Sequence, residues 1–218
     1  MAQFKFSARK KRRWPYWLAA MGLLLLGSGG YMQAKAFLAQ YLIADAWEQS
    51  RRDGLPHKPW SWADTHPIAR LELKRQSGER ESFYILAGAS GRNLAFAPTW
   101  LENTALPGEG GNTVIAGHRD THFAILRKVA PGDELWLEDM QGERHQYRVK
   151  YTSVVNENEL SVLEQISDRL TLITCFPFFG VSDRTDKRFV VVAEPDELWS
   201  RPEIAAKAMV LSMEHGRQ

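Results

Sequence analysis

Cys175 is the single cysteine of a 218-residue chain, and its setting suits a nucleophile. It closes the run Leu170-Thr-Leu-Ile-Thr174-Cys175, and Phe176-Pro177 follows. Proline cannot donate to a sheet ladder, so the strand must stop there and present its last residues at an edge. A lone cysteine is also a small hydrophobe that packs in cores. Against that reading, an unpaired thiol in an exported protein is open to oxidation and mispairing, so its retention calls for a function. His118 ends Thr113-Val-Ile-Ala-Gly117-His118, again a strand end, after a glycine that permits close backbone approach. A neutral imidazole near a thiol can withdraw its proton, and an imidazolium can stabilise the thiolate. Taken alone, His118 reads equally well as a hydrogen-bonded surface histidine. Arg188 lies thirteen residues after Cys175, at the start of Arg188-Phe-Val-Val. An antiparallel neighbour would bring it back beside the thiol, where a guanidinium can donate to an oxyanion. Arg184 and Lys187 flank it, so a solvated charge cluster is the alternative. His122 stands four residues after His118, a spacing that can bind metal on a helix. No third ligand is spaced to join the pair, so neither a metal nor a cofactor is expected.

These residues need strands to hold them. After Pro67 the chain reads as short apolar runs split by turn residues. Ile68–Leu73 and Ser82–Leu86 flank Ser77-Gly78, and Glu134–Glu138 and Arg144–Val154 flank Gln141-Gly142, two hairpin signals. Asn112–Ala116, Leu170–Thr174 and Phe189–Ala193 add three runs rich in β-branched residues. Seven or eight short strands, with brief helices near 121–129 and 159–166, predict a closed or nearly closed β-barrel over residues 67–195. The tail, 196–218, reads as a helix of unassigned role.

Upstream, residues 14–34 form a run of 21 without a charge, preceded by a segment, 1–13, holding six basic residues and no acid. A helix of that length spans roughly 31 Å, close to the hydrocarbon thickness. Aromatic residues at both ends and the positive-inside rule predict a transmembrane signal anchor with a cytoplasmic N-terminus. Ala34-Lys35-Ala36 leaves open a cleaved signal peptide, and a buried core helix is the third reading. Ala34, Phe37, Leu38, Tyr41 and Leu42 continue a helical pattern to about Arg52. Residues 35–66 thus comprise a helix and then a linker broken by Gly54, Pro56 and Pro59. Trp60 and Trp62 are placed to pin that linker to the body, or to line a ligand groove. Without residues 1–13 the chain has 22 basic and 26 acidic residues, a balance of −4. That argues against a nucleic-acid footprint.

Gly117-His118, Leu-Ile-Thr174-Cys175 and Arg188-Phe-Val-Val, in that order on late strands, resemble the active-site signatures of sortases, the cysteine transpeptidases of bacterial surfaces. The resemblance covers about residues 58–195. Pro59-Trp-Ser-Trp-Ala-Asp, Gly88-Ala-Ser-Gly91 and Ala116-Gly-His-Arg-Asp-Thr-His-Phe123 look like the variant of Gram-negative, often marine, proteobacteria. The resemblance implies an eight-stranded sortase-like β-barrel in the periplasm, held to the inner membrane by one span. It implies Cys175 as the nucleophile, His118 as acid and base, Arg188 at the oxyanion or substrate, and Thr174 as a substrate-binding contact. The implied partners are a surface protein with a C-terminal sorting signal of the Leu-Pro-x-Thr-Gly kind and an amine acceptor. Two other readings share the motifs: the same acyl-enzyme resolved by water, and an inactive barrel that binds sorting signals.

Overall fold

The computed structural model describes residues 14–180 and 185–196. The basic segment, Arg184 and the tail beyond residue 196 lie outside the described residues. Two compact units are present, 1–40 and 41–218.

One α-helix, α1, runs from Trp14 to Asp53, so the helical pattern continues past the charge-free run as expected. It is 40 residues long, yet among the described residues no helix is long and apolar enough to cross a membrane. The expected transmembrane span is corrected here, and the reason is composition. A charge-free run is not the same as an apolar one. Its strongly apolar centre, Leu18–Leu26, is nine residues, against the roughly 20 that a span requires. Gly27-Ser-Gly-Gly30 and Gln33 follow it, and three aromatic residues and a proline precede it. Within the first unit, Leu18, Met21 and Leu23 to Leu26 are exposed.

The second unit is an eight-stranded closed barrel. Its strands are β1 (Pro67–Lys74), β2 (Arg80–Ala87), β3 (Thr99–Trp100), β4 (Asn112–Ala116), β5 (Glu134–Asp139), β6 (Arg144–Asn156), β7 (Arg169–Phe176) and β8 (Lys187–Pro195). Around the barrel they run β1-β2-β3-β4-β7-β8-β6-β5. Both expected hairpins form, and Gly78 and Gly142 take the left-handed backbone their turns require, with φ of 89° and 86°. The strand with no clear sequence signal is β3, whose two residues bridge β2 and β4. So short a strand carries no alternation to read. Both brief helices are 3-10 turns, His122–Lys128 and Leu160–Leu163. A four-residue helix, α2 (Gly91–Leu94), has Ser90 as its cap, with the hydroxyl accepting from the Asn93 amide.

Alternate residues of the strands fill the barrel. Leu71, Leu73, Ile85, Ile115, Leu135, Leu137, Leu170, Leu172 and Val191 are all buried there, together with Phe123 and Leu126 from the first 3-10 turn. Side chains alternate along a strand, so one inward row from each strand suffices for this core. A second cluster forms outside the barrel. Ile43 from α1 packs with Leu86 and Ala97, and Trp60, Tyr84 and Phe96 close over them. Trp60 meets Phe96 edge-on at 4.9 Å between ring centroids, so it does pin the linker. Trp62 does not: it is 79% exposed.

Candidate active site

Strand pairing sets Arg188 opposite Cys175, and hydrogen bonds to the end of the same strand hold Gly117, the neighbour of His118. β4 and β7 are parallel, with Ala116 opposite Ile173. The pairing carries one residue further, because the Gly117 amide donates to the Ile173 carbonyl at 3.1 Å. His118 follows Gly117, one residue beyond the point where that contact with β7 ends. β7 and β8 are antiparallel, and Cys175 is directly opposite Arg188. The antiparallel return expected from the thirteen-residue spacing is therefore what forms.

Each position has its own support. The Thr174 hydroxyl donates to the Gly117 carbonyl at 2.7 Å. Thr174 is only 2% exposed, and this hydroxyl locks β7 to the His118 segment. The His118 carbonyl accepts from the Phe123 amide at 3.0 Å, which turns the chain into the 3-10 helix. Behind His118, a Cβ on Gly117 would stand 2.7 Å from the Phe123 ring. The close approach expected at this glycine is thus against an aromatic face. The His118 side chain itself is exposed, and Cys175 is a half-buried free thiol.

Arg188 is opposite Cys175 in backbone register, but its guanidinium is engaged elsewhere. It donates to the Thr185 carbonyl at 2.7 Å, to the Lys187 carbonyl at 3.0 Å and to the Glu157 carboxylate at 2.8 Å. Glu157 begins the β6–β7 connection and is held by its own amide, which donates to the Asp186 carbonyl at 2.6 Å. No sequence signal marked Glu157, since the contact joins residues 31 apart.

His122 is half-buried and sets its ring edge-on to Phe83, with 6.4 Å between centroids. Burial first, and then the charge of His118, hold its pKa below the ordinary 6.5. Both effects disfavour the imidazolium form of His122. Among the described residues no three His, Cys, Asp or Glu side chains gather closely enough to hold a metal ion.

Arg119 is a second residue that sequence reading passed over. Although charged and next to an exposed histidine, it is 5% exposed. Its guanidinium donates to the Pro177 carbonyl at 3.0 Å and the Gly180 carbonyl at 3.2 Å. The available signal was its place inside Gly117-His-Arg-Asp120, immediately after a candidate base.

A thiol and a guanidinium on adjoining strands, with an imidazole on the segment after the next strand, are the parts for nucleophilic acyl chemistry. A sortase domain family model matches residues 77–196, more than half of the chain. The chain belongs to the sortase family. Sortase D of Bacillus subtilis (strain 168) is 30% identical over 109 residues, which is 49% of this chain and 54% of that protein. Sortase A of Bacillus anthracis is 29% identical over 115 residues, 50% of this chain and 52% of that protein. This sortase-family chain thus spans about half the length of the curated relatives it matches. Among solved structures, sortase A from Corynebacterium diphtheriae aligns with a TM-score of 0.53 at 27% identity, covering 62% of this chain and 63% of that one. Listeria monocytogenes sortase A aligns at 0.52 and 26% identity, covering 60% and 87%. The sortase barrel expected from the motifs is therefore the fold observed.

Proposed function

We propose that this chain is a cysteine transpeptidase that cuts a sorting signal and joins the released carboxyl end of a surface protein to an amine. The observation that supports the reading is the register that sets Cys175 opposite Arg188, with His118 following Gly117, which is hydrogen-bonded to the end of the Cys175 strand, in a sortase-family barrel. The Cys175 thiolate attacks the carbonyl carbon at the scissile bond and makes a tetrahedral oxyanion. Arg188 donates to that oxyanion once its guanidinium leaves Glu157. His118 protonates the departing amine, the C–N bond breaks, and a thioester remains on Cys175. An incoming amine, deprotonated by His118, then attacks the thioester carbonyl and expels the thiolate. Water in place of the amine gives hydrolysis through the same intermediate. By the motifs' resemblance, the signal is of the Leu-Pro-x-Thr-Gly type and the enzyme belongs to the Gram-negative variant.

The N-terminus attaches the enzyme to the inner membrane in this reading, with the barrel on the periplasmic side. The six basic residues among the first thirteen and the exposed leucines of α1 support attachment. Fractionation of cells, protease treatment of spheroplasts and sequencing of the mature N-terminus test it. A soluble body beginning near Phe37 would refute attachment in favour of a cleaved signal.

The chemistry is tested by incubating the full-length protein in detergent with Leu-Pro-x-Thr-Gly peptides, with and without an amine. A mass increase on Cys175 equal to the acylating fragment, discharged faster by amine than by water, is the expected result. Acylation that persists in Cys175→Ala would refute the cysteine mechanism. Binding without cleavage by the intact protein would favour the inactive-barrel reading.

A further inference from the structure

Arg119 is an unusual residue to bury. A guanidinium taken out of water is costly unless its N–H groups find partners. Here two of those partners are neutral carbonyls, Pro177 and Gly180, in the segment that follows Cys175. The Asp120 carboxylate, 3.4 Å from Nε, is largely solvent-exposed. Gly180 is shaped to this contact, since a Cβ there would stand 3.1 Å from Arg119 Nη1.

The placement matters more than the burial. Thr174 and Gly117, each immediately before Cys175 and His118, are joined by the 2.7 Å hydroxyl–carbonyl bond. Arg119, immediately after His118, reaches Pro177 and Gly180, which lie two and five residues after Cys175. Cys175 and His118 are bracketed between two cross-links, one on each side along both segments. The first cross-link ties two strands that the barrel already pairs. The second ties two loops that leave the barrel, so it bears the larger share of their relative position. The planar, forked guanidinium can hold two carbonyls at once, which a point-charge ammonium cannot reproduce.

We propose that Arg119 is a positioning residue that holds the His118 loop against the segment after Cys175 and so sets the distance between imidazole and thiol. The proposal rests on the acyl-transfer reading above for its kinetic consequence, but not for its spectroscopic one.

The test uses the full-length protein in detergent and four variants: Arg119→Ala, Arg119→Lys, Gly180→Ala and, as a control on the β1–β2 hairpin, Arg80→Ala. The first readout is the imidazole NMR signal of His118 before and after alkylation of Cys175 with iodoacetamide. In the natural protein alkylation should move that signal, and in Arg119→Ala the movement should fall to less than about half. The second readout is peptide acylation. Arg119→Ala should lose about 10- to 100-fold, mainly in kcat, with KM changed less than about 3-fold, because misplacement by an ångström is worth about that much. Arg119→Lys should recover part of the loss. Gly180→Ala should fall between it and the natural protein, and Arg80→Ala should match the natural protein. Should Arg119→Ala fail to fold, Arg119→Lys and Gly180→Ala carry the decision. A folded Arg119 variant whose alkylation shift and kcat both match the natural protein overturns the proposal. So does a loss seen only in KM. If the natural protein forms no thioester while the alkylation shift still depends on Arg119, the proposed function fails and the positioning role stands.

Discussion

Gly117→Ala tests whether His118 is set by packing behind it or by freedom in its backbone. Gly117 is not one of the glycines with a left-handed backbone, so alanine can adopt its conformation. The obstacle is steric. A Cβ would lie 2.7 Å from both Cγ and Cδ2 of Phe123, well inside contact distance. The ring cannot swing aside, because Phe123 is 0% exposed within the barrel core. Phe83 also stands edge-on to it, 6.2 Å between centroids. Overpacking of this kind costs about 1–3 kcal/mol. For a domain of this size that lowers Tm by about 2–12 °C. The strain also reaches the candidate base. The Gly117 carbonyl is held by Thr174, and the His118 carbonyl by the Phe123 amide, so a displaced ring moves the backbone on both sides of His118. Peptide acylation should drop by about 10-fold or more, short of the 10²–10⁴ lost when acid–base catalysis is removed outright. Thermal unfolding by circular dichroism and thioester formation by mass spectrometry measure the two effects. Phe123→Leu in the same chain should relieve the clash, leaving the double variant less impaired than the two single losses added together. A Tm within about 1 °C of the natural protein and unchanged acylation would refute the reasoning, as would strictly additive losses in the double variant.

His118→Ala should reduce acylation by about 10²–10⁴-fold and His122→Ala by far less; steady-state acylation rates of both variants check this, and the reverse order would exchange their roles. Thr174→Val removes a buried donor and leaves the Gly117 carbonyl unpaired, so unfolding in denaturant should show a loss of about 1–3 kcal/mol. Glu157→Gln frees Arg188 from a carboxylate partner that is partly exposed. It should change stability by less than about 1 kcal/mol and raise kcat/KM by up to about 5-fold, whereas Arg188→Lys, lacking the planar fork, should stay badly impaired. His66 and His122 are both held below their ordinary 6.5, chiefly by burial. The fold resists their protonation while the unfolded chain protonates freely below that value, so stability is intact above pH 6.5 and is withdrawn as pH falls through it. Tm should therefore drop between pH 7.5 and 5.5, and His122→Gln should flatten that slope.

Local chemistry made much of this protein legible from its residues. Gly78 and Gly142 mark their hairpins because few other residues tolerate a left-handed backbone. Pro177 ends β7 because it has no amide to donate, which leaves Cys175 near the strand end. Seven of the eight strands show in apolar runs whose period is a property of the strand itself. The antiparallel return of Arg188 to Cys175 was likewise readable, since thirteen residues leave room for a short connection and little else. What the residues alone misjudged is where short-range pattern and physical property diverge. The charge-free run 14–34 satisfied a rule about charge, yet its glycines, serine and glutamine keep α1 below the apolarity a span needs. β3 is too short to carry a pattern, and its existence depends on β2 and β4 having an open edge between them. The supports of the candidate site belong to the tertiary structure alone. Thr174 reaching Gly117 joins residues 57 apart, and Arg119 reaching Pro177 and Gly180 joins residues 58 and 61 apart. Glu157 holding Arg188 spans 31. No periodicity records such pairs, because the partners become neighbours only when the barrel closes, and a buried guanidinium reads in sequence like any solvated one.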